Sequence, residues 1–388
     1  MKKTEVKSPR TPIYRNAGFE LETSERTASA FISETSHQRE PEFYIYSRYR
    51  NPTVVSAEET IMKIEGSRWA LLAESGMAAI DIALSIFQEA GKKSLWLFSS
   101  EIYGGTLSFI SNVLVNRRGI DTDFFEPDGL DFNYDKVEKQ IADTRPEIVY
   151  FEAVSNPLLI VADGRRLIAI AKKYGAKVII DNTFATPELW KPLDDGADLV
   201  IHSATKYFSG HGNITAGVIC GNDNVMMQKA IEYRKFTGHM LSPDDAYRLE
   251  TQAASFHLRF RQQCRNASEI AALLTDSGKV SSVFYPGLPS HVTHKTAEDL
   301  FGGKGYGAMI TFDLDGATPE EKKHNRDCFI EKVSNDIKLV PTLGDSHTIL
   351  MPVEPVWGSK YHEPGMIRLS VGFEETEVLL EILSGGLK

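Results

Sequence analysis

From about residue 57 the chain alternates short apolar runs with stretches of helical spacing. Residues 57–64 predict a short helix, and Trp69-Ala70-Leu71-Leu72-Ala73 is a compact apolar run. Met77, Ile80, Ala83, Leu84 and Phe87 then recur at the spacing of one helix face. Further apolar runs lie at 95–98, 148–151, 178–180 and 199–201, with helix-like stretches at 134–142 and 166–174. These runs are apolar on both faces. A strand has that pattern when helices cover both sides of a mainly parallel sheet. Residues 215–220 predict one more strand of it.

Two regions break this texture. The first fifty residues are polar and without period, and Ser8-Pro9-Arg10-Thr11-Pro12 and Ser33-Glu34-Thr35-Ser36-His37 predict loop. Such an arm buries little of itself, so it frays or wraps over a neighbouring surface. After about residue 256 a long helical stretch, 256–275, leads to shorter strands at 280–284, 308–312, 337–340 and 366–371. That is the pattern of a smaller α+β domain. The chain has 388 residues, more than one hydrophobic core usually serves. The expected division is an N-terminal arm over 1–51, a large α/β domain over 52–256 and a C-terminal domain over 257–388.

Composition narrows the function class. Hydrophobic residues make up 42% and charged residues 25%, as in ordinary globular proteins. The formal charge of −10 disfavours nucleic acid or an anionic membrane as the main partner, but leaves room for a local anion site. Cys220, Cys264 and Cys328 are far apart and odd in number, so neither a metal site nor a disulfide framework is expected. No run approaches the roughly 18 apolar residues of a membrane span. The opening residues are not followed by a signal-peptide core. A cytoplasmic protein without metal is the expectation.

In an open α/β sheet, ligands sit beyond the carboxyl ends of the strands, so the polar residues that follow each apolar run are the candidates. Ser75-Gly76-Met77 follows 70–73 and opens a helix. It suits either an ordinary turn or an anion held by backbone N–H groups. Asp181-Asn182-Thr183 follows 177–180. Asp181 caps a helix or pairs with a cationic ring nitrogen, the partner that pyridoxal 5'-phosphate (PLP) requires. Ser203-Ala204-Thr205-Lys206-Tyr207 follows 199–202. Lys206 either reaches solvent or is a buried amine of depressed pKa, nucleophilic toward an aldehyde. On an extended segment Ser203 and Thr205 would share one face, where two hydroxyls could hold a phosphate, with Lys206 on the other. Tyr103 in Tyr103-Gly104-Gly105-Thr106 is a packed aromatic or a platform for a planar cofactor.

Taken together these stretches resemble the Cys/Met-metabolism PLP enzymes, which include cystathionine γ-synthase, the cystathionine lyases, methionine γ-lyase and the homoserine sulfhydrylases. The matching segments run from about residue 40 onward. They are Tyr46-Ser47-Arg48-Tyr49-Arg50-Asn51-Pro52-Thr53, Glu74-Ser75-Gly76-Met77-Ala78-Ala79-Ile80, Tyr103-Gly104-Gly105-Thr106, Ser155-Asn156-Pro157, Asp181-Asn182-Thr183-Phe184-Ala185-Thr186-Pro187, His202-Ser203-Ala204-Thr205-Lys206-Tyr207 with Gly210-His211-Gly212, and Ile367-Arg368-Leu369-Ser370-Val371-Gly372. The lysine stretch is the most specific.

The resemblance implies PLP fold type I, with a seven-stranded-type sheet in the large domain. It implies that Lys206 carries the cofactor as a Schiff base and later moves protons, while Asp181 faces the ring nitrogen. Tyr103 would stack on the ring and act near the leaving group. Ser75, Gly76, Met77, Ser203 and Thr205 would bind the phosphate. Tyr46 and Arg48 would reach the cofactor of a neighbouring subunit, in a dimer or a homotetramer built as a dimer of dimers. Arg368 would clamp the substrate carboxylate, with Asn156 beside it.

The chain also departs from the family. It has Thr251-Gln252-Ala253-Ala254-Ser255-Phe256 where many members have Arg-Gly-Leu-Lys-Thr-Leu. Thr342-Leu343-Gly344 replaces Ser-Leu-Gly, the usual His-Pro and Thr-His pattern is missing from 351–363, and Gly105 replaces a cysteine typical of methionine γ-lyases. These departures are expected on the substrate side, with Thr342 among the substrate contacts. The expected activity is γ-elimination on a methionine- or homoserine-type amino acid, giving a 2-oxo acid and ammonia. The alternatives are γ-replacement, β-elimination on cystathionine, an aminotransferase of the same fold, or a non-catalytic PLP-binding protein.

Overall fold

Along each central strand of the first sheet, successive side chains enter two different cores. Ile148 and Tyr150 pack into one apolar cluster and Val149 and Phe151 into another, and Ile179 is divided in the same way from Val178 and Ile180. The runs are therefore apolar throughout because helices cover both faces. The computed structural model describes residues 7–388 apart from Ala90 and His362.

The strands of this sheet are β1 (Trp69–Ala73), β2 (Leu95–Ser99), β3 (Asp121–Phe125), β4 (Ile148–Glu152), β5 (Lys177–Asp181), β6 (Leu199–His202) and β7 (Gly217–Gly221). Their order is β1-β7-β6-β5-β4-β2-β3. Strands β3, β2, β4, β5 and β6 pair in parallel, and β7 lies antiparallel to both β6 and β1. The carboxyl ends of β1, β4, β5 and β6 therefore open on one edge of the sheet, where β7 begins.

A second sheet holds β8 (Val280–Phe284), β9 (Met309–Leu314), β10 (Lys338–Leu339), β11 (Ile349–Pro352) and β12 (Met366–Ser370), in the order β10-β11-β12-β9-β8. All its pairs are antiparallel except β10 with β11. The helix Phe256–Asp276 packs on it through Ala267, Ile270, Ala271 and Leu274.

The expected loop over the arm needs correction. Thr23 caps a helix, Ser24–Glu34, by accepting from the Arg26 N–H at 3.1 Å, so Ser33 and Glu34 are helical. Ala30 is its one buried residue, so it carries no apolar stripe to read. Strand β3 was not expected either. It is the edge strand, and its sequence Asp-Thr-Asp-Phe-Phe is exposed at the start and buried only at Phe125. Strand β11 was also unforeseen.

Candidate active site

The edge where β1, β4, β5 and β6 end is a cavity of about 270 Å³. Ser75, Gly76, Met77, Tyr103, Asn156, Asp181, Ser203, Thr205, Lys206, Thr342 and Arg368 all line it, so eleven of the thirteen candidate residues come together. Tyr46 and Arg48 do not line it. They lie on the arm, where Arg48 stacks over Tyr46 and Tyr49 and donates to the carbonyl of Lys235.

One end of the cavity is built to receive an anion. Ser75 caps the helix Gly76–Ser85, its Oγ accepting from the Ala78 N–H at 3.1 Å, and the first-turn residues Gly76 and Met77 line the cavity. A Cβ at residue 76 would lie 3.1 Å from Ser203 Cβ and 3.2 Å from its Oγ, so glycine lets this turn close on Ser203. Ser203 and Thr205 do reach the cavity, but not by strand alternation. Residues 204–209 form a turn, in which Lys206 N–H donates to the Ser203 carbonyl at 3.0 Å and Gly210 N–H to the Lys206 carbonyl at 2.7 Å. Thr205 Oγ1 exchanges hydrogen bonds with the backbone of Ala216 at 2.9 and 3.1 Å.

A buried arginine that the sequence did not reveal holds this turn from behind. Arg259 donates to the carbonyls of Tyr207 and Phe208 at 3.1 and 3.0 Å. Gly210 has a positive φ of 65°, and a Cβ there would collide with Arg259 Nη1.

The cavity also holds two carboxyls. Asp181 ends β5 and Glu152 ends β4, side by side in register. Asp181 Oδ1 accepts from the Thr183 N–H at 3.0 Å and the Thr183 hydroxyl at 2.6 Å, and Thr183 Oγ1 in turn accepts from the Ser203 N–H at 2.9 Å. Burial raises the Asp181 pKa while the Thr183 bonds oppose the rise. Burial and the neighbouring Asp181 push Glu152 well above the usual carboxylate range. Glu152 and Thr183 were not singled out, because nothing in one sequence shows which residues end up adjacent across strands.

Lys206 Nζ donates to Thr342 Oγ1 at 2.8 Å. Burial, aided by the positive charge of Arg368, lowers the Lys206 pKa to about 8. Arg368, on β12, donates to Asn156 Oδ1 at 3.2 Å and to the Thr342 carbonyl at 3.0 Å. Its guanidinium lies 5.2 Å from the Trp357 ring centroid, and its buried Nε has no partner among the described residues. Burial lowers its pKa to about 10.

The departures at 351–363 do lie close by, since Met351 faces Arg368 across the β11–β12 ladder and Trp357 backs it. The stretch 251–256 does not line the cavity. Phe256 packs on Phe208, and Gln252 bonds Ser209, so this segment supports the lysine turn from outside. Gly105 is tight rather than open, because a Cβ there would stand 2.3 Å from Tyr103 Cε1. Among the described residues, no helix is long and apolar enough to cross a membrane and no acidic, His or Cys cluster could hold a metal.

This donor set fits PLP. The helix N-terminus with two hydroxyls suits a dianionic phosphate, the amine suits the aldehyde, and the carboxylate steadied by Thr183 suits a pyridinium nitrogen. The chain is 31% identical to an L-methionine gamma-lyase of Porphyromonas gingivalis over 97% of its length and 92% of that protein. It is 33% identical to a cystathionine beta-lyase of Lactococcus lactis subsp. cremoris, covering 96% of this chain and 97% of the other. A crystal structure of cystathionine gamma synthase from Xanthomonas oryzae pv. oryzae superposes with a TM-score of 0.84 at 28% identity, covering 97% of this chain and 92% of that one. The family described as Cys/Met metabolism PLP-dependent enzyme matches residues 1–388, and with a cavity whose donors suit that cofactor, the chain belongs to this family and to PLP fold type I.

Proposed function

We propose that this enzyme catalyses γ-elimination on a methionine- or homoserine-type amino acid, releasing a 2-oxo acid and ammonia. The coarser activity, PLP-dependent elimination or replacement at the β- or γ-carbon of sulfur amino acids, rests on the family and on relatives named for such reactions. The observation that carries the finer reading is the set of charges in the cavity. Lys206 and Arg368 are the only cations among the described lining residues, and the lining is apolar at Val154, Phe184, Pro341 and Leu343. One guanidinium suits one α-carboxylate. No further lining cation within this chain is left for the distal carboxylate of a substrate such as cystathionine, whereas a thioether suits an apolar wall.

PLP, when bound, supplies an electron-withdrawing ring that stabilises negative charge on the carbon next to the substrate amine. The residues of the chain do the rest. Ser203, Thr205 and the backbone N–H groups of Gly76 and Met77 would bind its phosphate. Asp181 stays anionic against the ring nitrogen, because Thr183 donates two hydrogen bonds to one of its oxygens. Arg368 grips the substrate carboxylate with two parallel N–H groups, its plane fixed by Asn156, the Thr342 carbonyl and the Trp357 face. Lys206 Nζ, poised between charged and neutral near physiological pH, takes and returns protons at the α- and β-carbons. Tyr103, at the cavity wall, moves a proton at the leaving group.

The test is a substrate panel of methionine, cystathionine, O-acylhomoserine, O-phosphohomoserine and canavanine, scored for ammonia and 2-oxo acid without added thiol. Release of both from methionine or a homoserine ester is expected. Turnover that needs an added thiol would replace this reading with γ-replacement. Turnover of cystathionine alone to pyruvate would replace it with β-elimination.

A further inference from the structure

Asp181 has a second carboxyl as its neighbour across the β4–β5 ladder. Glu152 ends β4 one strand away, lines the same cavity, and forms no ion pair with any described residue. Its Oε1 accepts from the Tyr103 N–H at 2.6 Å, and the described residues give its Oε2 no hydrogen-bond partner. We propose that Glu152 is the positioning residue for Tyr103, a neutral carboxylic acid whose Oε1 fixes the Tyr103 backbone and whose Oε2–H faces the cavity as a donor. The proposal rests on the assignment of Asp181 and Tyr103 given above.

Adjacent parallel strands lie about 4.8 Å apart, so two carboxylates at their paired ends cannot both stay charged in a buried site without a cation between them. Asp181 receives both Thr183 donors and faces the position of a ring cation, so the negative charge belongs there. Glu152 receives a single backbone donor. Among the described residues, the other groups around it are Glu101, Lys360, Tyr361 and Tyr150. Lys360 is already paired with Glu101 at 2.8 Å, and Tyr361 donates to the same carboxylate at 2.9 Å. Neither is therefore free to neutralise an ionised Glu152. A carboxyl held neutral in this way is a hydrogen-bond donor at a pH where most carboxyls are only acceptors.

Two measurements test this. Infrared difference spectra between the wild-type chain and Glu152→Gln, recorded near neutral pH without substrate, should show loss of a protonated carboxyl carbonyl band, both with and without PLP. Loss of carboxylate bands instead would overturn the proposal, whatever the enzyme's substrate proves to be. In turnover, Glu152→Gln should keep kcat within about twofold, because an amide still accepts from Tyr103 N–H and still donates to the cavity. Glu152→Leu strands that N–H and should lower kcat by about tenfold with KM changed less than about twofold. A Gln variant as impaired as the Leu variant would overturn the positioning role, and this outcome can be read even if the Leu variant fails to fold.

Discussion

Lys206 and Arg368 meet on a single residue, since Lys206 Nζ donates to Thr342 Oγ1 at 2.8 Å while Arg368 donates to the Thr342 carbonyl at 3.0 Å. The two cations of the cavity are thus held close together, and the charge of Arg368 helps to lower the Lys206 pKa. Lys206 attacks the cofactor aldehyde only as the neutral amine, and a like charge nearby favours that form. The rate at which PLP attaches covalently to the apo-protein should therefore rise about tenfold per pH unit and level off above a pH of about 8. In Arg368→Met the like charge is gone, the Lys206 pKa rises, and the whole profile should move to higher pH. Stopped-flow absorbance reads the rate, and a shift to lower pH would contradict the coupling. Lys206→Ala should show no borohydride-fixed cofactor by mass spectrometry.

Thr183 ties the Asp181 carboxylate to the lysine turn through its hydroxyl. Thr183→Val removes the acceptor for the Ser203 N–H and a donor to Asp181. Unfolding of the apo-protein in denaturant should show a loss of about 1–3 kcal/mol, the usual cost of a buried group left unpaired. Thr183→Ser keeps the hydroxyl and should recover most of that loss. Destabilisation by Ser with none by Val would show that the methyl, not the hydroxyl, matters.

Arg368→Lys keeps the positive charge and loses the flat fork. KM should rise by about tenfold or more for every amino acid of the panel, in line with roughly 1.5–3 kcal/mol for a hydrogen bond to a charged group. Substitutions at Thr342, which lines the cavity, should instead reorder the side chains that are accepted. If Arg368→Lys reorders the substrates while their average KM stays put, Arg368 reads the side chain and the substrate lies the other way round.

Tyr46 and Arg48 stand outside the cavity of their own chain, on an arm that also leaves Phe31 and Ile32 48% and 73% exposed. If they serve a neighbouring subunit, Arg48→Ala should weaken cofactor retention. A mixture of Arg48→Ala with Lys206→Ala chains should then regain activity, because one hybrid site has both residues intact. No recovery despite demonstrated subunit exchange would exclude sharing.

The sheet and most of the site could be read in advance because both depend on local order. A run apolar on both faces followed by Ser75, Asp181 or Ser203 marks a covered strand and its carboxyl end, whatever lies elsewhere in the chain. Elements that bury little were lost. The arm helix Ser24–Glu34 has no stripe, and the edge strand β3 is mostly polar. Relationships across strands were also out of reach. The pairing of Glu152 with Asp181, the hold of Arg259 on the lysine turn and the backing of Arg368 by Trp357 all join residues far apart in sequence. The misplacement of 251–256 has the same origin, since departure from a family pattern says that a residue changed but not where it points.

The cavity draws its anion end, its carboxyls and its amine from residues 75 to 206, and its guanidinium from Arg368 on β12. On the ribosome these parts emerge at different times. The part that suits the cofactor is synthesised well before the part that suits the substrate carboxylate, and chains grow from the N-terminal side with domains folding as units. A nascent chain thus has the residues to capture PLP before it has the residue to align an amino acid.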